Sequence, residues 1–100
     1  MNIQCIKTIL GEDIIADVQE TLSGDVSLSH PLMVMIMPRQ DGQYTIGLAP
    51  YLSFANGKTF AYKKEHIMMM FEPAAELRNE YVRITGQGIV IPKSELSLMK

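Results

Sequence analysis

The chain has a single cysteine, Cys5, and no tryptophan. One cysteine excludes an internal disulfide and any zinc site built on cysteine pairs, and Cys5 is expected to act as a small apolar residue in a reducing compartment. No apolar run approaches the ~20 residues needed to span a bilayer. The opening MNIQCIKTILGED lacks a charged segment followed by a long apolar core, so secretion is not expected and a cytoplasmic location is. Neither sign of charge dominates. The net charge of −2 argues against a general basic coat for duplex nucleic acid and leaves room only for a local patch.

What is present is apolar: 47% of the 100 residues are hydrophobic and 20% charged, the balance of one globular domain. The arrangement centres on Lys58–Glu72, where two apolar runs, Phe60–Tyr62 and Ile67–Phe71, flank the polar break Lys63-Lys64-Glu65-His66. The second run has no alternating polar face, so it is expected to be a strand, Ile67–Glu72, covered on both sides. Pro73 holds Glu72 extended and stops the run from becoming a helix. In so small a chain the outer cover is expected from a second copy, which makes Ile67, Met68, Met69, Met70 and Phe71 the candidate subunit interface.

The remaining pattern is strand after strand. Ile3–Leu10 and Asp13–Glu20 flank a Gly11-Glu12-Asp13 turn, with Ile14, Ala16 and Val18 on one face and Ile15, Asp17 and Gln19 on the other. After the Ser23-Gly24-Asp25 turn, Val26–Met37 reads as a long strand bent near His30-Pro31, since proline cannot sit in the middle of a paired ladder. Tyr44–Ala49 alternates, with Gly47 and Ala49 leaving room for a large side chain or another backbone. Pro50–Gly57 reads as a loop. Pro73 to Ile84 has helical periodicity, with Pro73 at the first helical position, Leu77, Tyr81 and Ile84 on one face, and Gly86 as the stop. Ile89-Val90-Ile91-Pro92 is expected to be a short extended segment. The fold class is mainly β: five or six antiparallel strands in a strongly curved sheet or barrel over 1–72, with a C-terminal helix and tail over 73–100 packed on it.

Chemistry-bearing motifs are scarce. No G-x-S-x-G, H-E-x-x-H or glycine-rich loop opening a helix occurs, and neither His30 nor His66 has a second histidine at ligand spacing, so no catalytic residue, metal or cofactor is expected. Asp17 is read as an outward carboxylate. The eight methionines, including Met33, Met35, Met37 and Met68–Met70, are read as packing and interface residues. A copper site of thioethers is disfavoured, because a strand sends successive side chains to opposite faces. Tyr62, Lys63, Lys64 and His66 bring an aromatic ring, two cations and a titratable ring into one turn, the elements of single-stranded nucleic-acid binding. On one chain this is a small patch, whereas a cyclic oligomer repeats it around an axis.

The stretch Ile9-Leu10-Gly11-Glu12-Asp13-Ile14-Ile15-Ala16-Asp17-Val18 resembles the strand, glycine turn and strand of the first motif of the Sm/LSm family, and Tyr62-Lys63-Lys64-Glu65-His66-Ile67 resembles its second motif, as found in Hfq-type RNA chaperones. The resemblance implies a strongly bent five-stranded barrel whose last strand pairs with the next subunit of a ring, with single-stranded RNA as a partner and Tyr62, Lys63, Lys64 and His66 as its contacts. Leu22-Ser23-Gly24-Asp25 lacks the family's base-holding pattern, and the helix follows the strands where the family's precedes them, so uridine-tract recognition is not implied. The chain also resembles a group of small proteins of marine tailed phages, through Leu10-Gly11-Glu12 with Ile14-Ile15, His30-Pro31-Leu32, Glu72-Pro73 with Leu77 and Tyr81, and Gly88-Ile89-Val90 with Pro92. That resemblance implies the alternative of a phage scaffold with a phage or host protein partner, no nucleic acid and no membrane.

Overall fold

The structure, a computed structural model, describes residues 1–86. The expected segment at Ile89–Pro92 and the matching residues at 88–92 lie outside the described residues.

Six strands and one helix follow in order: β1 Ile3–Thr8, β2 Asp13–Glu20, β3 Val26–Pro38, β4 Tyr44–Pro50, β5 Thr59–Tyr62, β6 Ile67–Phe71 and α1 Ala75–Thr85. All pairings are antiparallel, in the order β4-β3-β2-β1-β6, with β5 also on β3. β4 and β5 lie end to end along β3: β4 pairs with Leu32–Pro38 and β5 with Val26–Ser29. One edge of β3 therefore carries two strands, parted by the loop between them. No ladder joins β4 or β5 to β6 among the described residues, so the sheet is open.

The first expected strand ends early. Thr8, not Leu10, is its last residue, because Gly11 at φ 86° turns the chain with its N–H on the Thr8 carbonyl, 2.9 Å away. Ile9 and Leu10 are left exposed in the turn. β3 bends where proline predicts it. Ser29 pairs with Asp17 and Thr59, Leu32 pairs with Ile15 and Pro50, and His30-Pro31 falls in the gap between them. The β2–β3 register shifts at that point, and His30 takes φ 52°, with its N–H on the Lys58 carbonyl at 2.7 Å.

Alternation along β1, β2 and β3 divides the core in two. Ile6, Ile14, Ala16, Val18, Val26 and Leu28 face the inside of the curl, joined by Met33, Tyr51, Tyr62 and Ile67. Ile3, Cys5, Ile15 and Leu32 face the other way and are covered by Tyr81 and Val82 of α1. Each fully buried Ile or Leu in these clusters contributes about 1.5–3 kcal/mol.

The helix differs in two details from its expected form. It starts at Ala75 with Ala74 as N-cap, so Pro73 precedes the helix and is not its first residue. Ile84 is exposed and Val82 takes its place against the sheet. These two residues lie about 200° apart around a helix, so both cannot face one surface. Gly86, left-handed at φ 73°, closes the helix with its N–H on the Val82 carbonyl. Tyr81 is fully buried, and its hydroxyl, the donor, lies 3.1 Å from the Ser29 carbonyl and 3.0 Å from that of His30. One phenol thus ties α1 to the bend of β3.

Candidate nucleic-acid interface

The break in Lys58–Glu72 is a single turn of 3-10 helix, Lys64–His66, between β5 and β6. Lys63 precedes it in extended conformation, and the His66 N–H closes it on the Lys63 carbonyl at 3.0 Å. The His66 carbonyl accepts from the Ile9 N–H at 2.9 Å, which fixes the turn to the end of β1. Tyr62, the last residue of β5, packs half-buried against the inner core and meets the His66 ring edge to face, with centroids 6.4 Å apart. Lys63, Lys64 and His66 are exposed. The four residues singled out in the sequence therefore do lie together.

Residues distant in sequence complete the surroundings. The Lys64 N–H donates to the Asp25 carboxylate at 3.2 Å, and the Lys64 side chain crosses Gly24, its Nζ 3.1 Å from where a Cβ would stand. Gly24 holds φ 90°, so its missing side chain serves both the turn and the passage of the lysine. On the other side, Tyr51 faces Glu12 and Tyr62. Its phenol is pushed up to about 12, chiefly by burial and then by the Glu12 carboxylate and the Tyr62 hydroxyl. Glu12 is itself held by Thr8, whose Oγ1 accepts from the Glu12 N–H at 3.2 Å and lies 3.3 Å from Glu12 Oε1. The sequence marked Gly24 and Asp25 only as a turn and Tyr51 only as part of a loop, because each contact joins turns far apart in the chain.

The expectation that the Ile67–Phe71 run is covered on both sides is not met by the described residues. Among them β6 pairs with β1 alone, and Met68, Met69 and Phe71 stand 62%, 53% and 47% exposed. The register slips between Lys7 and Thr8, so Met68 has no partner on β1. Met69 and Phe71, opposite Lys7 and Cys5, line an apolar groove of about 350 Å³ with Ile36, Ile46 and Leu77. The free edge at the other end of the sheet, β4, also shows apolar side chains, Tyr44 and Ile46.

Other chemistry is sparse. Among the described residues no three of His, Cys, Asp and Glu come together as a metal-binding group, and no helix is long and apolar enough to cross a membrane. Asp17 accepts the Asn2 N–H at 2.9 Å. Cys5 is buried, and burial, then the Asp13 carboxylate, push its thiol above the usual range. No protein-family model matches the chain, and no curated protein matches it either.

Proposed function

We propose that this chain is a self-associating module of Sm-like type, in which β6 of one copy pairs with the free β-edge of the next to close a ring, and that the ring presents its Tyr62–His66 turns to single-stranded RNA. The carrying observation is the pair of edges left uncovered among the described residues. β6 and β4 terminate the same sheet and both expose large apolar side chains; β6 bears no lysine or proline to blunt a solitary edge, and β4 bears only Pro50, at its last residue. Two different edges on one chain pair head to tail, and a head-to-tail contact closes into a ring when the rotation allows. The short 3-10 turn linking the last two strands and the sharp bend in β3 support the Sm-like barrel reading. In a ring, Lys63 and Lys64 recur once per copy to neutralise phosphate, while Tyr62 and His66 stack on bases or hydrogen-bond to them.

Light scattering on the purified protein tests assembly, and fluorescence anisotropy with labelled single-stranded RNA at low salt tests binding. The expected result is an oligomer that Met69→Lys dissociates, and RNA affinity that the Lys63→Ala/Lys64→Ala pair weakens. A monomer at all concentrations refutes the ring. A stable oligomer with no RNA affinity refutes the RNA half and leaves the second reading, a scaffold for a phage or host protein. That reading is favoured by the apolar groove between Ile36, Ile46, Met69 and Phe71, which fits a protein side chain better than a polyanion.

A further inference from the structure

We propose that the cleft beside the bend of β3 is a binding site for a small aromatic anion, a flat ring that carries a carboxylate or a phosphate. The cleft encloses about 470 Å³, within the range of small-molecule sites. Four parts of the chain wall it: Pro31 and Leu32 of β3, Leu52 of the loop after β4, Phe60 of β5 and Ile84 of α1. Phe60 belongs to the half-buried side of β5, opposite the exposed Thr59 and Ala61. Ile84, which the sheet leaves exposed, finds its place here at the last turn of the helix.

Charge and shape name the occupant. Among the described residues Lys58 lines the cleft and no aspartate or glutamate does. The ion pairs among the described residues are Lys7–Asp13, Arg39–Asp41 and Arg83–Glu80, so none of them occupies the Lys58 ammonium. An anionic group is its complement, and the Ser53 hydroxyl on the same wall can donate to it. The rings of Pro31, Pro50 and Phe60 offer flat apolar surface for the body of the ligand. Backbone conformation points to the same place. His30 at φ 52° and Leu52 at φ 56° are the non-glycine residues with left-handed backbone among the described residues, and both line the cleft. A left-handed leucine is sterically disfavoured, and residues held in such conformations gather at ligand sites. Hydrogen bonds hold the walls in position: the His30 N–H donates to the Lys58 carbonyl at 2.7 Å, and the Ala55 N–H closes the loop on the Leu52 carbonyl at 2.9 Å. The site is thus shaped before a ligand arrives, which lowers the cost of binding.

The experiment is equilibrium dialysis of the full chain against 2-naphthoate and against AMP, with 2-naphthol and adenosine as their uncharged counterparts and circular dichroism to verify folding of each variant. Saturable retention of at least one anion, with its uncharged counterpart retained less, is the expected result; which anion is held tells a ring carboxylate from a nucleotide. Lys58→Met keeps the apolar stem and removes the charge, and is expected to weaken retention about tenfold. Ile84→Trp, at an exposed position, fills the cleft and is expected to abolish retention of both probes. Ile46→Thr, in the separate groove beside β6, is expected to change neither. If Ile46→Thr abolishes retention while Lys58→Met and Ile84→Trp leave it intact, the ligand lies in the groove and the proposal is overturned. Equal retention of charged and uncharged probes overturns the role of Lys58. No retention of either anion overturns the site altogether and leaves the cleft to a protein segment.

Discussion

Replacing Tyr81 by phenylalanine isolates the phenol that joins α1 to the bend of β3. The ring is fully buried, so the change removes one oxygen and opens no cavity of consequence. What is lost is a hydroxyl donor shared between the Ser29 and His30 carbonyls. A neutral hydrogen bond contributes about 0.5–1.5 kcal/mol net, and a buried acceptor left without its donor adds to the loss, so about 1–2 kcal/mol is expected. With a urea m-value of about 1–2 kcal/mol/M for a chain of this size, the midpoint falls by roughly 1 M, measured at matched protein concentration because assembly also stabilises the fold. A second readout is alkaline pH. In the folded chain burial pushes the Tyr81 phenol up to about 12, against an ordinary value of 10.0. The unfolded chain therefore gives up this proton first, and the stability the phenol provides is complete below pH 10 and drains away as pH rises towards 12, at up to about 1.4 kcal/mol per pH unit. Tyr81→Phe is expected to flatten that decline in part, leaving the Tyr51 share. An unchanged urea midpoint together with an unchanged alkaline slope would refute the claim that this hydroxyl holds the bend.

Three smaller changes probe other contacts. Gly24→Ala combines a positive φ with a Cβ 3.1 Å from Lys64 Nζ, so a loss of about 1–2 kcal/mol is expected by thermal denaturation. Gly47→Ala places a Cβ 2.7 Å from the methyl of Met37, the free end of a flexible side chain on an exposed strand, and is expected to cost under about 1 kcal/mol, whereas Gly47→Phe should cost more in the same melt. Cys5, buried with its thiol shifted upward, is expected to resist an aromatic disulfide reagent at pH 8 in buffer and to react fully in urea, followed by absorbance.

Strand positions were legible where alternation and turn residues agreed. β2 has the limits expected of it, with Ile14, Ala16 and Val18 inward, and His30-Pro31 marks the bend as proline's missing donor requires. Gly47 does make room for a large side chain, that of Met37. Helix direction was harder to read, because Leu77, Tyr81 and Ile84 form a stripe by spacing alone. Only the curvature of the sheet decides that Val82 is buried and Ile84 is not. Cover over β6 was inferred from an unbroken apolar run, and such a run says that water is unfavourable without saying what replaces it. The cluster of Tyr62, Lys63, Lys64 and His66 was visible because it is local. Asp25, Gly24, Tyr51 and Glu12 were not, since nothing in their own neighbourhoods indicates the meeting of three separate turns.

The division of labour along β3 has an evolutionary corollary. Because one continuous strand serves as template for both β4 and β5, the alignment of each is dictated by β3 and not by the segment that connects them. Lengthening that connection leaves both registers intact, and doubling a loop costs only about 0.6 kcal/mol in closure entropy. Residues 52–57, between the Tyr51 and Lys58 contacts to β3, are therefore the place where this scaffold can accept new sequence, and with it new specificity, while the rest of the architecture stands still.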